Sequence, residues 1–166
     1  MPISSMRMNK VLLAGEALRG RSGHGAGRQL LARMYREATG SECPEIAVTD
    51  RGKPYFISGD WHFSISHTKA HVFCALGRRP VGLDAEEMDR EIDLRLAAKI
   101  LSEAEKGRYE EAVDSRAALL KFWVLKEAAA KLTGEGLRGY PNHTDFSPDD
   151  PRVTEMDGCY VALMTE

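Results

Sequence analysis

Cysteine is scarce in this sequence of 166 residues, and none of it is arranged in pairs. Cys43, Cys74 and Cys159 are odd in number, far apart in the chain and outside any C-x-x-C pattern. This usage argues against a disulfide framework and against a zinc site, and it favours a reducing compartment. We therefore expect a cytoplasmic protein.

Long apolar stretches are also missing. The run at 72–76 is among the longest, far below the ~20 residues of a membrane helix. The stretch at 11–14 is too short for the core of a secretory signal, so we expect no membrane partner. Repeats and low-complexity tracts are absent. Apolar residues at 43% and charged residues at 29% exclude disordered and fibrous classes.

The net charge is only −2, but its distribution is uneven. Residues 1–36 contain seven Lys and Arg against one acid, a net of +6, which leaves −8 for the rest of the chain. A basic segment within a mildly acidic protein favours a localised anionic partner over a nucleic acid bound across the surface. The alternative is that these arginines simply lie solvated on an exposed helix face.

Hydrophobic periodicity predicts elements of both kinds. The segment 11–14 is a short strand or a helix start, and 21–27 is a flexible glycine-rich turn. The remaining predicted elements are helices at 28–38, 94–100, from Ser102 and at 115–132, strands at 46–48, 63–65, 72–76 and 81–86, and a terminal hairpin over 152–163. This order predicts an α+β fold with two halves, 1–79 and 80–166, in one compact unit.

Asp84 and Glu86 are the first candidates for chemistry. They are two residues apart on a predicted strand, so their side chains leave the same face. Neighbouring carboxylates repel each other unless water or a cation separates them, and Mg²⁺ is a cation that prefers oxygen ligands. The alternative is a pair of solvated acids at a strand end.

The longest predicted helix places three notable side chains on one face. Trp123, Glu127 and Lys131 follow one another at intervals of four residues. A Glu–Lys pair at this spacing is usually a surface stabiliser. Because a Trp prefers burial, we expect this face to be partly covered, and a covered Glu needs a further partner. Asp84, Glu86 and a metal ion would supply one.

Two polar turns could bind phosphate. Ser66 and His67 end a predicted strand, where both can donate hydrogen bonds to an anion when the imidazole is protonated. Lys53 lies in a G-K-P turn. Each could equally be a turn without a ligand. The segment 25–27 lacks the spacing of a nucleotide phosphate loop.

The order of four blocks is more informative than any block alone. GKPYF (52–56), FSISH (63–67), VGLDAE (81–86), and WVLKEAAAK with TGEGL (123–131, 133–137) together resemble the Sfp-type 4′-phosphopantetheinyl transferases. The block at 123–131 is the most specific. Arg28 also looks like the start of the family's first helix, and Arg19 and Arg21 could serve as basic groups that the family places further upstream.

The resemblance implies a fold of two similar α+β halves packed as a pseudo-dimer, with the active-site cleft between them. It also implies a magnesium-dependent transfer of the phosphopantetheine arm of coenzyme A to a serine of an apo acyl or peptidyl carrier protein. The other product is adenosine 3′,5′-bisphosphate. A chain that contains two such halves is expected to act as a monomer.

The resemblance also implies a role for each residue that matches a site position of the family. Asp84, Glu86 and Glu127 would hold Mg²⁺, and Lys131 would neutralise phosphate charge. Coenzyme A phosphates would be contacted by Ser66, His67, Lys53 and Arg28. The serine needs a base, either Glu127, which we favour, or a metal-bound water. The alternatives to a transferase are a non-catalytic module that binds carrier protein or coenzyme A, and a different Mg²⁺-dependent phosphate enzyme.

Overall fold

The computed structural model describes residues 4–8, 10–134 and 145–166. The fold is α+β, as the order of predicted elements indicated. The strands are β1 Ser4–Met8, β2 Val11–Ala17, β3 Ile46–Val48, β4 Pro54–Phe56, β5 His62–His67, β6 His71–Gly77, β7 Val81–Glu87, β8 Val153–Met156 and β9 Cys159–Thr165. The helices are α1 Gly23–Thr39, α2 Ala97–Ile100, α3 Glu103–Glu110 and α4 Ser115–Thr133, with a 3₁₀ turn at Leu94–Leu96 before α2.

Within the described ranges, these strands form three antiparallel sheets. The first has the order β1-β2-β6-β5, the second pairs β3 with β4, and the third has the order β7-β9-β8. The first two sheets are built from residues before position 80 and the third from residues after it. The division into halves at 79/80 and their similarity as a pseudo-dimer stay predictions.

Because side chains alternate along the strands, the described core forms three apolar clusters. One face of the first sheet packs against α1, through side chains such as Leu30 and Cys74. One face of the third sheet packs against α4, through side chains such as Phe122 and Ala162. The opposite faces of the two sheets share an apolar cluster that includes Phe73. The order of layers is therefore helix, sheet, sheet, helix.

Helix α1 begins earlier than the sequence pattern predicted. Residues 23–27 are helical, not a flexible turn, and Ser22 caps the helix by accepting a hydrogen bond from Gly25 N. The glycines serve close packing. A Cβ at Gly23 would lie 2.2 Å from the His67 ring, and one at Gly27 would lie 2.6 Å from Ile65. The expectation of flexibility was wrong because these glycines let α1 lie directly against β5.

Helix α4 also packs closely on a strand. A Cβ at Gly82 of β7 would lie 2.0 Å from the carbonyl oxygen of Ala128 and 2.5 Å from the backbone nitrogen of Leu132. Only a residue without a Cβ fits there. The glycine therefore brings the last two turns of α4 onto β7, next to Asp84.

Most other helices and strands are of the predicted type but differ from the prediction in length. The segment 11–14 is part of a strand, and β1 before it had no predicted counterpart. The predicted helix at 94–100 is a 3₁₀ turn followed by one helical turn. Helix α3 has the predicted capping box between Ser102 and Glu105. The last part of the TGEGL block lies outside the described residues. Within the described ranges, no helix has the length and apolar character to cross a bilayer.

Candidate active site

Asp84 lies at the centre of the predicted site. It is buried on β7, with 7% of its surface exposed. Its Oδ1 accepts hydrogen bonds from Lys131 Nζ at 3.0 Å and from Ser66 Oγ at 3.2 Å. Its Oδ2 is buried and has no hydrogen-bond partner among the described residues. A buried carboxylate oxygen without a partner is costly, so this atom is a natural ligand position for a cation.

The electrostatics around Asp84 point the same way. Burial raises the pKa of its carboxyl to about 6, against the opposing effect of Lys131, and the charges of Glu127 and Glu86 raise it further. Burial likewise raises the pKa of Glu127, which Lys131 lowers and Glu86 raises. Three carboxylates thus act on one another, and a divalent cation would relieve their repulsion.

Cationic side chains already pair with two members of this cluster. Lys131 reaches across from α4 to Asp84, and Arg90 NH1 lies 2.5 Å from Glu86 Oε1. The charge of Arg90 also lowers the pKa of Glu127. The sequence patterns did not single out Arg90, although its i,i+4 spacing from Glu86 was visible.

The three carboxylates fit Mg²⁺ in chemistry. All the donors are oxygens, and Asp84 Oδ2 has no partner within the described ranges, as expected of a cation ligand. The ligand atoms of these three carboxylates do not all lie within 4.8 Å of one another. In the described part of the chain, a different group of side chains has that spacing: His71, Glu87 and Cys159. Mg²⁺ commonly keeps waters and substrate phosphates among its ligands, so it tolerates protein oxygens that are further apart.

Two serines of β5 connect the first sheet to the third. Ser64 Oγ accepts a hydrogen bond from Leu83 N at 3.0 Å, and Ser66 Oγ accepts one from Ala85 N at 3.1 Å. These hydroxyls take the place that strand carbonyls occupy in a regular ladder. Ser66 is buried and also donates to Asp84, so its hydroxyl orients that carboxylate.

A cleft of about 300 Å³ lies beside this cluster, and Lys53, Glu127 and Lys131 are among its lining residues. Lys53 Nζ donates a 2.7 Å hydrogen bond to the carbonyl oxygen of Leu132, at the end of α4. Burial lowers the pKa of Lys53, and the charge of Glu166 opposes that shift. With Arg51, which also lines it, the cleft has two ammonium groups, one guanidinium group and one carboxylate on its walls.

His67 and Arg28 lie further from the carboxylates. His67 is exposed at the end of β5, with its ring against Gly23 at the start of α1. Arg28 is partly exposed on α1, where its charge lowers the pKa of the Cys43 thiol against the effect of burial. Among the described residues, no hydrogen bond or ion pair joins either side chain to Asp84, Glu86 or Glu127.

The sequence patterns missed a buried ion pair behind the site. Lys126 is 1% exposed, and its Nζ donates to Glu105 Oε1 at 2.7 Å. Glu105 also accepts from Ser102 N and Phe146 N, both at 2.9 Å. This pair joins α3, α4 and the segment before β8. Lys126 precedes Glu127 directly, so the pair also fixes the part of α4 that presents Glu127 to the cleft.

Comparison with known proteins shows a family to which part of the chain is similar. Residues 80–158 match the family model of the 4′-phosphopantetheinyl transferase superfamily. The match includes Asp84, Glu86, Glu127 and Lys131. The resemblance to Sfp-type transferases found in the sequence blocks is thereby confirmed.

Individual relatives show how far the similarity extends. The 4′-phosphopantetheinyl transferase gsp of Aneurinibacillus migulanus is 36% identical over 88 residues, covering 52% of this chain and 36% of the relative. The transferase psf-1 of Bacillus pumilus is 37% identical over 97 residues, covering 57% and 41%. The transferase Sfp of Bacillus subtilis (strain 168) is 31% identical over 95 residues, covering 55% and 42%. The matched region therefore spans less than half the length of each of these relatives.

Proposed function

We propose that this protein transfers the 4′-phosphopantetheine arm of coenzyme A to a serine of an apo acyl or peptidyl carrier protein, with release of adenosine 3′,5′-bisphosphate. The observation that carries the proposal is the buried Asp84, which lies between Glu86, Glu127 and Lys131 and has one oxygen without a partner in the described part of the chain. These four residues lie in the segment that matches the transferase superfamily. Three relatives are named as 4′-phosphopantetheinyl transferases.

Asp84, Glu86 and Glu127 would hold Mg²⁺. The ion would neutralise the pyrophosphate of coenzyme A and stabilise the leaving bisphosphate. Phosphoryl transfer depends mainly on such charge stabilisation and on an in-line nucleophile, which suits a site rich in fixed charges. Ser66 holds the Asp84 carboxylate in place through its hydroxyl.

Lys131 and Glu127 act on the reacting groups from one wall of the cleft. The Lys131 ammonium places a positive charge beside the phosphates. Glu127 accepts the proton of the carrier serine as its oxygen forms the new bond to phosphorus and the bond to the adenosine bisphosphate breaks. The raised pKa of Glu127, a consequence of burial, makes it a stronger base than an exposed glutamate.

The remaining cations of the site suit the other anionic groups of coenzyme A. Lys53 lies on the same cleft and would approach the adenosine 3′-phosphate. His67 would contact a phosphate near the start of α1, where the helix end favours anions. Ser66 would contact phosphate from the other face of β5, beside Asp84. Arg28 is a further candidate for the 3′-phosphate.

The proposal extends to partners and location. The basic residues of the N-terminal segment would serve an acidic carrier protein or the 3′-phosphate. We propose a monomer of two similar halves, 1–79 and 80–166, in the cytoplasm. The cysteine usage supports the location, and the two helix-backed sheets support the halves.

The experiment is a product assay. The protein is incubated with coenzyme A, Mg²⁺ and an apo carrier protein, and adenosine 3′,5′-bisphosphate is quantified by chromatography. We expect product only when carrier and Mg²⁺ are both present, none with a carrier whose acceptor serine is alanine, and none with Glu127→Gln. The exposed Glu110→Gln is the matched control and should keep full activity. Binding of coenzyme A without product across several carriers would favour a non-catalytic binding module.

A further inference from the structure

A second group of candidate ligands lies on the opposite side of β7 from Asp84. Glu87 is three residues beyond Asp84 and therefore leaves the other face of the strand. It is directly opposite Cys159 in the register of β7 and β9. His71, the first residue of β6, completes the group at the edge of the cluster shared by the two sheets.

The three ligand atoms are close to the spacing that a tetrahedral ion requires. They all lie within 4.8 Å of one another. The Cys159 sulfur is 3.7 Å from His71 Nδ1, and that nitrogen is 2.8 Å from Glu87 Oε1. Zinc bonds of ~2.0–2.1 Å to nitrogen and ~2.3 Å to sulfur hold these two ligand atoms ~3.5 Å apart. Small side-chain movements would therefore suffice to admit an ion.

We propose that His71, Glu87 and Cys159 form a binding site for a Zn²⁺-like divalent cation, separate from the carboxylate cluster. Nitrogen, oxygen and sulfur donors together suit Zn²⁺ or Co²⁺, whereas Mg²⁺ prefers oxygen alone. Binding exchanges the thiol proton, which leaves to solvent, for a metal–sulfur bond.

The surroundings support a site with one open position. Thr68 Oγ1 donates to Glu87 Oε1 at 2.5 Å and orients the carboxylate, as residues behind metal ligands commonly do. Thr68 and Glu87 also line a surface cleft, which gives an ion a path inward and leaves room for water as a fourth ligand. Cys159 itself is fully buried, so its thiol is held against the other two groups.

Sequence spacing gave no sign of this site and argued against zinc. Zinc motifs are recognised by ligands a few residues apart in one segment. Here the ligands come from three strands, and Cys159 is 88 positions from His71. Only the pairing of β7 with β9 and the packing of the two sheets bring them together.

The test is a titration of the purified protein with Co²⁺ in the presence of excess Mg²⁺, which occupies oxygen-only sites. We expect a thiolate-to-cobalt charge-transfer band that saturates at about one equivalent. Cys159→Ser should lose the band, whereas Cys43→Ser, the control at a partly exposed thiol, should keep it. If Cys159→Ser does not fold, His71→Asn serves instead and should weaken and shift the band.

A second readout excludes adventitious binding. Zn²⁺ should raise the melting temperature of the wild type and of Cys43→Ser, and leave that of Cys159→Ser unchanged. Absence of the charge-transfer band in the wild type, or its persistence in Cys159→Ser, would overturn the proposal. Transferase activity plays no part in either measurement, so this site and the proposed function are tested independently.

Discussion

The backbone of Gly82 lies so close to Ala128 that a Cβ at position 82 would be 2.0 Å from the carbonyl oxygen of Ala128. Gly82 is two residues before Asp84, and Ala128 follows Glu127. This contact between β7 and α4 therefore sets how the strand carboxylates face the helix residues. The site depends on a glycine that has no side chain to contribute.

Gly82→Ala should push α4 away from β7. We expect a loss of stability of about 1–3 kcal/mol, as overpacking of a core typically costs, and a large loss of transferase activity, because Glu127 and Lys131 move from Asp84. Urea denaturation and the product assay measure the two effects. Gly107→Ala in α3 is the control: a Cβ there meets nothing within 4 Å, so stability should stay level or rise. Normal activity in Gly82→Ala would contradict this role.

Ser66 and Ser64 offer a matched pair of substitutions. Ser66→Ala leaves Ala85 N without a partner and removes the hydrogen bond to Asp84, whereas Ser64→Ala leaves only Leu83 N unpaired. We expect each to cost about 1–2 kcal/mol of stability. Activity should fall much further in Ser66→Ala. Equal activity in the two variants would show that the hydrogen bond from Ser66 to Asp84 does not contribute to activity.

Lys126→Met should be among the most destabilising changes that keep side-chain volume. It leaves the buried Glu105 without its cation, and breaking one side of a buried pair costs about 3–5 kcal/mol. Lys106→Met removes the exposed pair with Glu103 and should cost no more than about 0.5 kcal/mol. Chemical denaturation of the two variants compares the pairs directly. A similar small loss in both would mean that Glu105 is satisfied by its backbone partners alone.

Asp150 is expected to make a contribution to the free energy of unfolding that depends on pH. Its Oδ1 accepts from Arg152 N and its Oδ2 from Arg152 NH2, and the Arg152 side chain lowers the pKa of the carboxyl below its ordinary 3.8. A depressed pKa stabilises the fold above the unfolded value, and the contribution is lost as pH falls through the folded value. Asp150→Asn should cost about 0.5 kcal/mol at neutral pH, since the pair is partly exposed, and nothing in strong acid.

The free energies of unfolding of the wild type and of Asp150→Asn, measured from neutral to acidic pH, should therefore converge. The neighbouring exposed Asp149→Asn is the control for loss of a surface carboxylate and should match the wild type at neutral pH. A difference between Asp150→Asn and the wild type that is constant across the range would show that the pair contributes through its shape and not its charge.

Much of the fold was predictable from local pattern. The period of two put Asp84 and Glu86 on one face of β7, the period of four aligned Glu127 with Lys131, and the capping box set the start of α3. What the pattern could not give was the reason for the glycines. Gly23 and Gly27 read as flexible, but their role depends on side chains of β5 some 40 residues later.

Contacts between distant segments could not be predicted from the sequence either, because they also depend on tertiary packing. Lys126 and Glu105 look like ordinary surface charges until packing buries them together, 21 positions apart. The Lys131 contact with Asp84 spans 47 positions, and it forms where α4 approaches β7 closely at Gly82. Local periodicity decides which face a side chain leaves. It does not say what that face meets.

The proposed attachment of phosphopantetheine to a carrier protein depends on the cluster of Asp84, Glu86 and Glu127. The most direct measurement is the intact mass of an apo acyl or peptidyl carrier protein after incubation with the protein, coenzyme A and Mg²⁺. We expect a mass gain of one phosphopantetheine group, which chelation of the metal or the Glu127→Gln substitution abolishes. An unchanged carrier mass in every carrier class, or an equal gain with Glu127→Gln, would contradict it.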